Sequence, residues 1–75
     1  MRITLRSFGA VRELRGRALE ELDVPDGSSA GSVRDSLGLP EGLRVAVAVN
    51  EVIVDGATLL SPGDELALLP PVGGG

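Results

Sequence analysis

The chain offers little conventional chemistry. Its 75 residues contain no cysteine and no histidine, which removes thiolate ligands, a redox nucleophile and the usual acid or base of neutral pH. Its carboxylates are scattered and show no spacing such as the D-x-D-x-D-G calcium loop, so no metal site is expected. All seven basic residues are arginines; with no lysine the chain has no side-chain amine. The reactive group that stands out is at the end, where Leu69-Pro70-Pro71-Val72 leads into Gly73-Gly74-Gly75. Three glycines without Cβ atoms can enter a channel too narrow for other residues, and they present a bare α-carboxylate. A carboxylate is a poor electrophile until it is converted to an acyl-adenylate by ATP. The adenylate can then react with a sulfur nucleophile to give a thiocarboxylate, or with an amine to give an amide. A terminal triglycine is also what a frayed end looks like. Here it follows a Pro-Pro exit and closes a domain without other chemical equipment.

That end must be carried by a small body. A chain of this length forms one domain and buries only about 60% of its unfolded surface. With 43% apolar residues it has material for a core, and it must hold together by packing alone. Eleven acidic against seven basic residues give a net charge of −4, and Phe8 is the only aromatic residue. That balance argues against nucleic acid as a partner and favours a basic groove on another protein. The first ten residues lack the continuous apolar stretch of a signal peptide, and no run approaches membrane-spanning length. A cytoplasmic protein without a membrane partner is expected.

Alternation of Ile3 and Leu5 with Thr4 and Arg6 predicts a half-buried strand over 2–8. Val11 and Leu14 ahead of Gly16 suggest a single helical turn or tight loop, and 19–24 reads as a second strand ended by Pro25-Asp26-Gly27. Ser28 or Ser29 can cap a two-turn helix carrying Val33 and Leu37, stopped by Gly38 and Pro40. Residues 44–50, apolar on both faces, predict a strand in the middle of a sheet. A short edge strand at 52–54 and a last strand at 65–69 follow, with Asn50 as a turn residue. Strand, strand, helix, strand, short strand, strand points to a two-layer α+β sandwich of the ubiquitin-like β-grasp kind, a mixed sheet of four to five strands on one main helix, though the order alone also allows other small α+β arrangements. The domain is expected over 1–69, with 70–75 as an extended arm of at most about 20 Å.

Three segments carry a family resemblance. Phe8-Gly9-Ala10-Val11-Arg12-Glu13-Leu14-Arg15-Gly16 is similar to the F-A-x-V-R-E-L-x-G stretch of molybdopterin synthase small subunits, which are MoaD-type members of the ThiS- and MoaD-like β-grasp sulfur carriers. Ala48-Val49-Asn50 resembles the A-V-N of that family's central strand. The run from Ser61 to Gly75 resembles its D-G-D-E-V-A-x-x-P-P-V-[S/T]-G-G ending. The resemblance implies a sulfur carrier whose Gly75 carboxylate is adenylated by a ubiquitin-activating-type adenylyltransferase using ATP, then sulfurated by a donor system. The thiocarboxylated tail would enter the large synthase subunit, in a heterotetramer, and donate sulfur to cyclic pyranopterin monophosphate for molybdenum cofactor. By position, Gly74 and Gly73 complete the tail, and Phe8, Arg12, Leu68, Leu69, Pro70, Pro71 and Val72 fall where partners make contact. No cofactor bound by the chain itself is implied, and catalysis would lie in the large subunit. Gly73 departs from the usual Ser or Thr, and Leu68-Leu69 from the common aromatics. Alternatives of other kinds are a carrier for thiamine or tRNA thiolation, a ubiquitin-like modifier that forms amides with target lysines, and a binding module with an inert tail.

Overall fold

The computed structural model describes residues 1–71. Strand β1 (Arg2–Ser7) runs into helix α1 (Gly9–Arg15) and returns as β2 (Leu19–Asp23). Helix α2 (Ala30–Ser36) then crosses to β3 (Ala46–Val49), β4 (Val52–Val54) and β5 (Glu65–Leu69). The five strands form one sheet in the order β2-β1-β5-β3-β4. β1 and β5 are parallel, and every other pairing is antiparallel. The mixed five-stranded sheet is the expected β-grasp arrangement, covered by two seven-residue helices rather than one main helix.

The alternation in β1 works as read. Ile3 and Leu5 are fully buried and join Val47, Leu66 and Leu68 on the covered face, under Val11 of α1 and Ala30 and Val33 of α2. Helix α2 is nucleated locally by a reciprocal cap: the Ser32 amide donates to Ser29 Oγ at 3.1 Å and the Ser29 amide to Ser32 Oγ at 3.0 Å. Seven residues cannot hold a helix in water, so its stability comes from burying Ala30 and Val33.

Two elements differ from the sequence reading. The segment after β1 is a seven-residue helix rather than one turn, closed by Gly16 at φ 79°, whose amide donates to the Arg12 carbonyl. Of its two apolar positions only Val11 is buried, while Leu14 is 56% exposed, so the i, i+3 pattern overstated its core face. The strand with apolar residues on both faces, β3, is interior but not central. The centre belongs to β5, where Leu66, Ala67 and Leu68 are all buried. Asn50 is the turn residue expected: with Glu51 it takes positive φ between β3 and β4, and its side-chain carbonyl accepts from the Glu65 amide at 2.9 Å. No helix among the described residues is long and apolar enough to cross a membrane.

Candidate functional site

The topology brings three chain segments to one end of the sheet. β1 and β5 are parallel neighbours, with Ser7 opposite Leu68, so both finish at that end. β3 is antiparallel to β5, with Ala46 opposite Leu69, so it starts there. Phe8-Gly9 leaving β1, Arg44-Val45 entering β3 and Pro70-Pro71 leaving β5 are therefore adjacent. The two prolines have no amide hydrogen to continue the ladder, which ends β5 at Leu69.

Around this exit lie two apolar clefts. Phe8, Gly9, Ala10 and Leu43 face Leu69, Pro70 and Pro71 across a cleft of about 600 Å³. On the other side Arg44, Val45, Ala46 and Ile53 border a shallower one of about 410 Å³ with the same Leu69, Pro70 and Pro71. The proline pair forms the ridge between them. Phe8 is 41% exposed at the N-cap of α1 and lines the first cleft, rather than being wholly enclosed in the core.

The sheet face away from the helices continues this surface. One row across it reads Leu19, Arg6, Ala67, Ala48 and Ile53. Toward β2 the face is charged: Arg6 grips Glu65 with two bonds of 3.0 and 3.2 Å, and Arg2 reaches Asp23 at 3.2 Å. Toward β4 it is smooth and apolar, with Ala48 and Ala67 buried and Ile53 71% exposed. The exit thus opens beside an apolar half-face whose outermost side chain, Ile53, is exposed.

The position of α1 is set at its middle and at its C-terminal end. Val11 anchors its middle in the core. Arg15, in its last turn, makes a bidentate pair with Glu20 of β2, at 2.7 and 3.0 Å. The hydrogen bonds from Arg15 hold the Glu20 carboxyl below its usual range, against the opposing effect of desolvation. The same bonds raise Arg15.

The residues anticipated from sequence separate into groups. Phe8, Leu69, Pro70 and Pro71 come together at the exit. Arg12 is exposed on α1 and makes no ion pair among the described residues; it borders a neighbouring depression with Gly9, Glu13, Gly16 and Arg17 rather than the cleft. Leu68 corrects the expected contact set: it is fully buried among the core side chains and has no surface to offer a partner. Alternation along β5 sends it inward, whereas Leu69 is on the open face beside the exit. Val72, Gly73, Gly74 and Gly75 lie outside the described residues. Sequence reasoning missed Gly9, Ala10, Leu43, Arg44, Val45, Ala46 and Ile53, which border the clefts. Only Ile53, an Ile on a short edge strand, carried a signal for it. Among the described residues no three acidic groups gather as metal ligands.

Known proteins are similar to this chain over all or nearly all of its length. The molybdopterin synthase sulfur carrier subunit of Mycobacterium tuberculosis is 35% identical, with 100% of this chain and 99% of that protein covered. A Helicobacter pylori structure described as a complex of subunits 1 and 2 of molybdopterin-converting factor superposes with a TM-score of 0.66 at 30% identity, covering 100% of each chain. Small archaeal modifier protein 1 of Haloferax volcanii shares the fold, with a TM-score of 0.77 at 23% identity and coverage of 95% of this chain and 98% of that one. The ThiS family model matches residues 5–75, from the middle of β1 through the glycines beyond the exit, and the chain belongs to that family.

Proposed function

We propose that this protein is a sulfur carrier that acts as the small subunit of a molybdopterin synthase. The observation that carries the reading is the exit: a stiff Leu69-Pro70-Pro71 ridge leaving the central strand between two apolar clefts, followed in sequence by Val72 and three glycines. Similarity to the mycobacterial sulfur carrier subunit supports it, and likeness to a chain from a two-subunit complex supports a large-subunit partner.

In this mechanism the Gly75 carboxylate attacks the α-phosphate of ATP on an adenylyltransferase. It forms an acyl-adenylate and releases pyrophosphate. A sulfide-level nucleophile from a sulfur donor system then adds to the acyl carbon and expels AMP, leaving a thiocarboxylate. Gly73 and Gly74 thread the narrow approach to the partner's active site, where the sulfur is given to cyclic pyranopterin monophosphate. The β-grasp body binds and orients. Phe8, Leu69 and the prolines supply the apolar contact at the base of the arm, with Arg12 at its margin as a cation for the partner. No side chain here need move a proton, in keeping with a sequence free of histidine and cysteine.

The test is mass spectrometry of the C-terminal peptide after incubation with ATP, the host's activating enzyme and a sulfur donor. One oxygen-to-sulfur exchange on the peptide ending in Gly75 is expected, followed by sulfur transfer when the large subunit and pterin precursor are added. An unmodified terminus, with the enzyme active on another carrier, would overturn the reading. An amide between Gly75 and a lysine of another protein would assign the chain to protein modification instead.

A further inference from the structure

The seven arginines divide by position. Four are held by carboxylates at 2.7 to 3.2 Å: Arg2 by Asp23, Arg6 by Glu65, Arg15 by Glu20 and Arg34 by Asp35. The other three, Arg12, Arg17 and Arg44, are exposed and make no ion pair among the described residues. All three lie at the end of the sheet where the arm leaves. Arg12 is on α1, and Arg17 precedes Ala18, whose carbonyl accepts from the Ser7 amide at 2.9 Å. Arg44 leads into β3 and borders the shallower cleft with Leu69, Pro70 and Pro71. Glu20, held down mainly by its bonds to Arg15, also feels Arg17, so that charge is partly answered within the chain. Arg12 and Arg44 remain, one on each side of the proline ridge. Glu13 borders the depression beside Arg12 and Glu41 the one beside Arg44, but neither pairs with them.

The net charge of −4 favours a basic groove when the chain is taken as a whole, yet the exit has a different balance. Asp23, Asp26, Glu51 and Asp64 lie at the opposite end, around the start of β1 and the turn after β3. A six-residue strand separates the two ends by about 20 Å. The Debye length at physiological ionic strength is about 8 Å, so a surface that meets the exit feels these arginines and little of the distant acids.

We propose that Arg44, with Arg12 across the ridge, docks the base of the arm on carboxylates at the mouth of the activating enzyme's channel. The inference rests on the carrier reading and names the recognition chemistry of its first step. Rim charges speed encounter and add little affinity, which suits an enzyme that must release the carrier after each turnover. A lasting co-subunit interface is more apolar, and Phe8, Leu69 and Ile53 supply that surface instead. Arg44 touches no reacting atom; it is a binding residue.

The test uses the full chain and the host's activating enzyme, with pyrophosphate release followed at varied carrier concentration and ionic strength. Arg44→Gln should lower kcat/KM for the carrier about threefold to tenfold near about 50 mM salt, with kcat little changed. In about 1 M salt, where the Debye length is about 3 Å, variant and wild type should converge. Arg44→Lys keeps the charge and should keep most of the rate. Arg2→Gln removes an exposed arginine at the far end and should behave as wild type. Thermal unfolding of Arg44→Gln should match wild type, and its affinity for the large subunit in calorimetric titration should change less than about twofold. An unchanged kcat/KM at low salt would overturn the proposal. So would a loss that persists in high salt or that Arg44→Lys does not restore, since the side chain would then act by packing. An equal loss of affinity for the large subunit would assign the surface to that partner and overturn it as well. An unsubstituted chain that is not adenylated sinks the carrier reading and the docking surface with it, whereas an adenylated wild type with an indifferent Arg44→Gln sinks the docking surface alone.

Discussion

The Arg15–Glu20 pair allows a quantitative test of how α1 is held. This helix has no side-chain cap at Phe8, no acidic residue in its first turn and one buried side chain, Val11. Its remaining tie is the bidentate pair, with the Glu20 side chain 11% and the Arg15 side chain 26% exposed. Exposed ion pairs contribute about 0–1 kcal/mol, whereas hydrogen bonds to a charged group sheltered from water are worth about 1.5–3 kcal/mol. Partial shelter places this pair between them, so Glu20→Gln should cost about 1–1.5 kcal/mol at neutral pH. In a domain of this size that is a fall in Tm of roughly 4–12 °C. The pH dependence has a definite sign. Because Arg15 holds the Glu20 carboxyl below its ordinary value of about 4.3, the folded chain binds that proton more weakly than the unfolded chain. The stabilisation is complete above the unfolded value and fades as pH falls through the lower folded one. Since glutamine does not titrate, the stability difference between wild type and Glu20→Gln isolates this group. Urea unfolding should show the difference shrinking below about pH 4. A double-mutant cycle with Arg15→Gln should recover most of the loss as coupling energy. If Glu20→Gln matches wild type at pH 7, or if the difference is undiminished in acid, the pair does not hold α1.

Burial separates the two leucines and the aromatic residue of the expected contact set. Leu68→Ala should cost about 2–5 kcal/mol in urea unfolding because it opens a cavity under the sheet, and Phe8→Ala less than about 1.5 kcal/mol. In calorimetric titration against the large subunit Phe8→Ala should be the more damaging; the reverse order would put Phe8 in the core. Ser7 is 2% exposed and its hydroxyl finds no hydrogen-bond partner among the described residues. Ser7→Ala should therefore raise stability by about 1 kcal/mol in thermal unfolding, and a loss of that size would mean the hydroxyl is satisfied in solution.

Much of this protein was legible one segment at a time, because the signals are local. The alternation of Ile3 and Leu5, a serine cap at Ser29 and the Asn50 turn depend on neighbours a few residues apart and formed as read, while the choice of Ser29 over Ser28 and the reciprocal bond from Ser32 came from the structure. The Pro-Pro stop after Leu69 is equally local, since a residue without an amide hydrogen cannot extend a ladder. What the order of elements left open was settled by long-range pairing. Only the parallel alignment of β1 with β5 places Gly9 beside Pro70, residues 61 positions apart in sequence. Only the sheet order makes β5 central, and only its register turns Leu68 inward and Leu69 toward the exit. A glycine's φ and the contact its absent Cβ would make are invisible in a letter code. They arise only where two strand ends, distant in sequence, meet in the folded sheet.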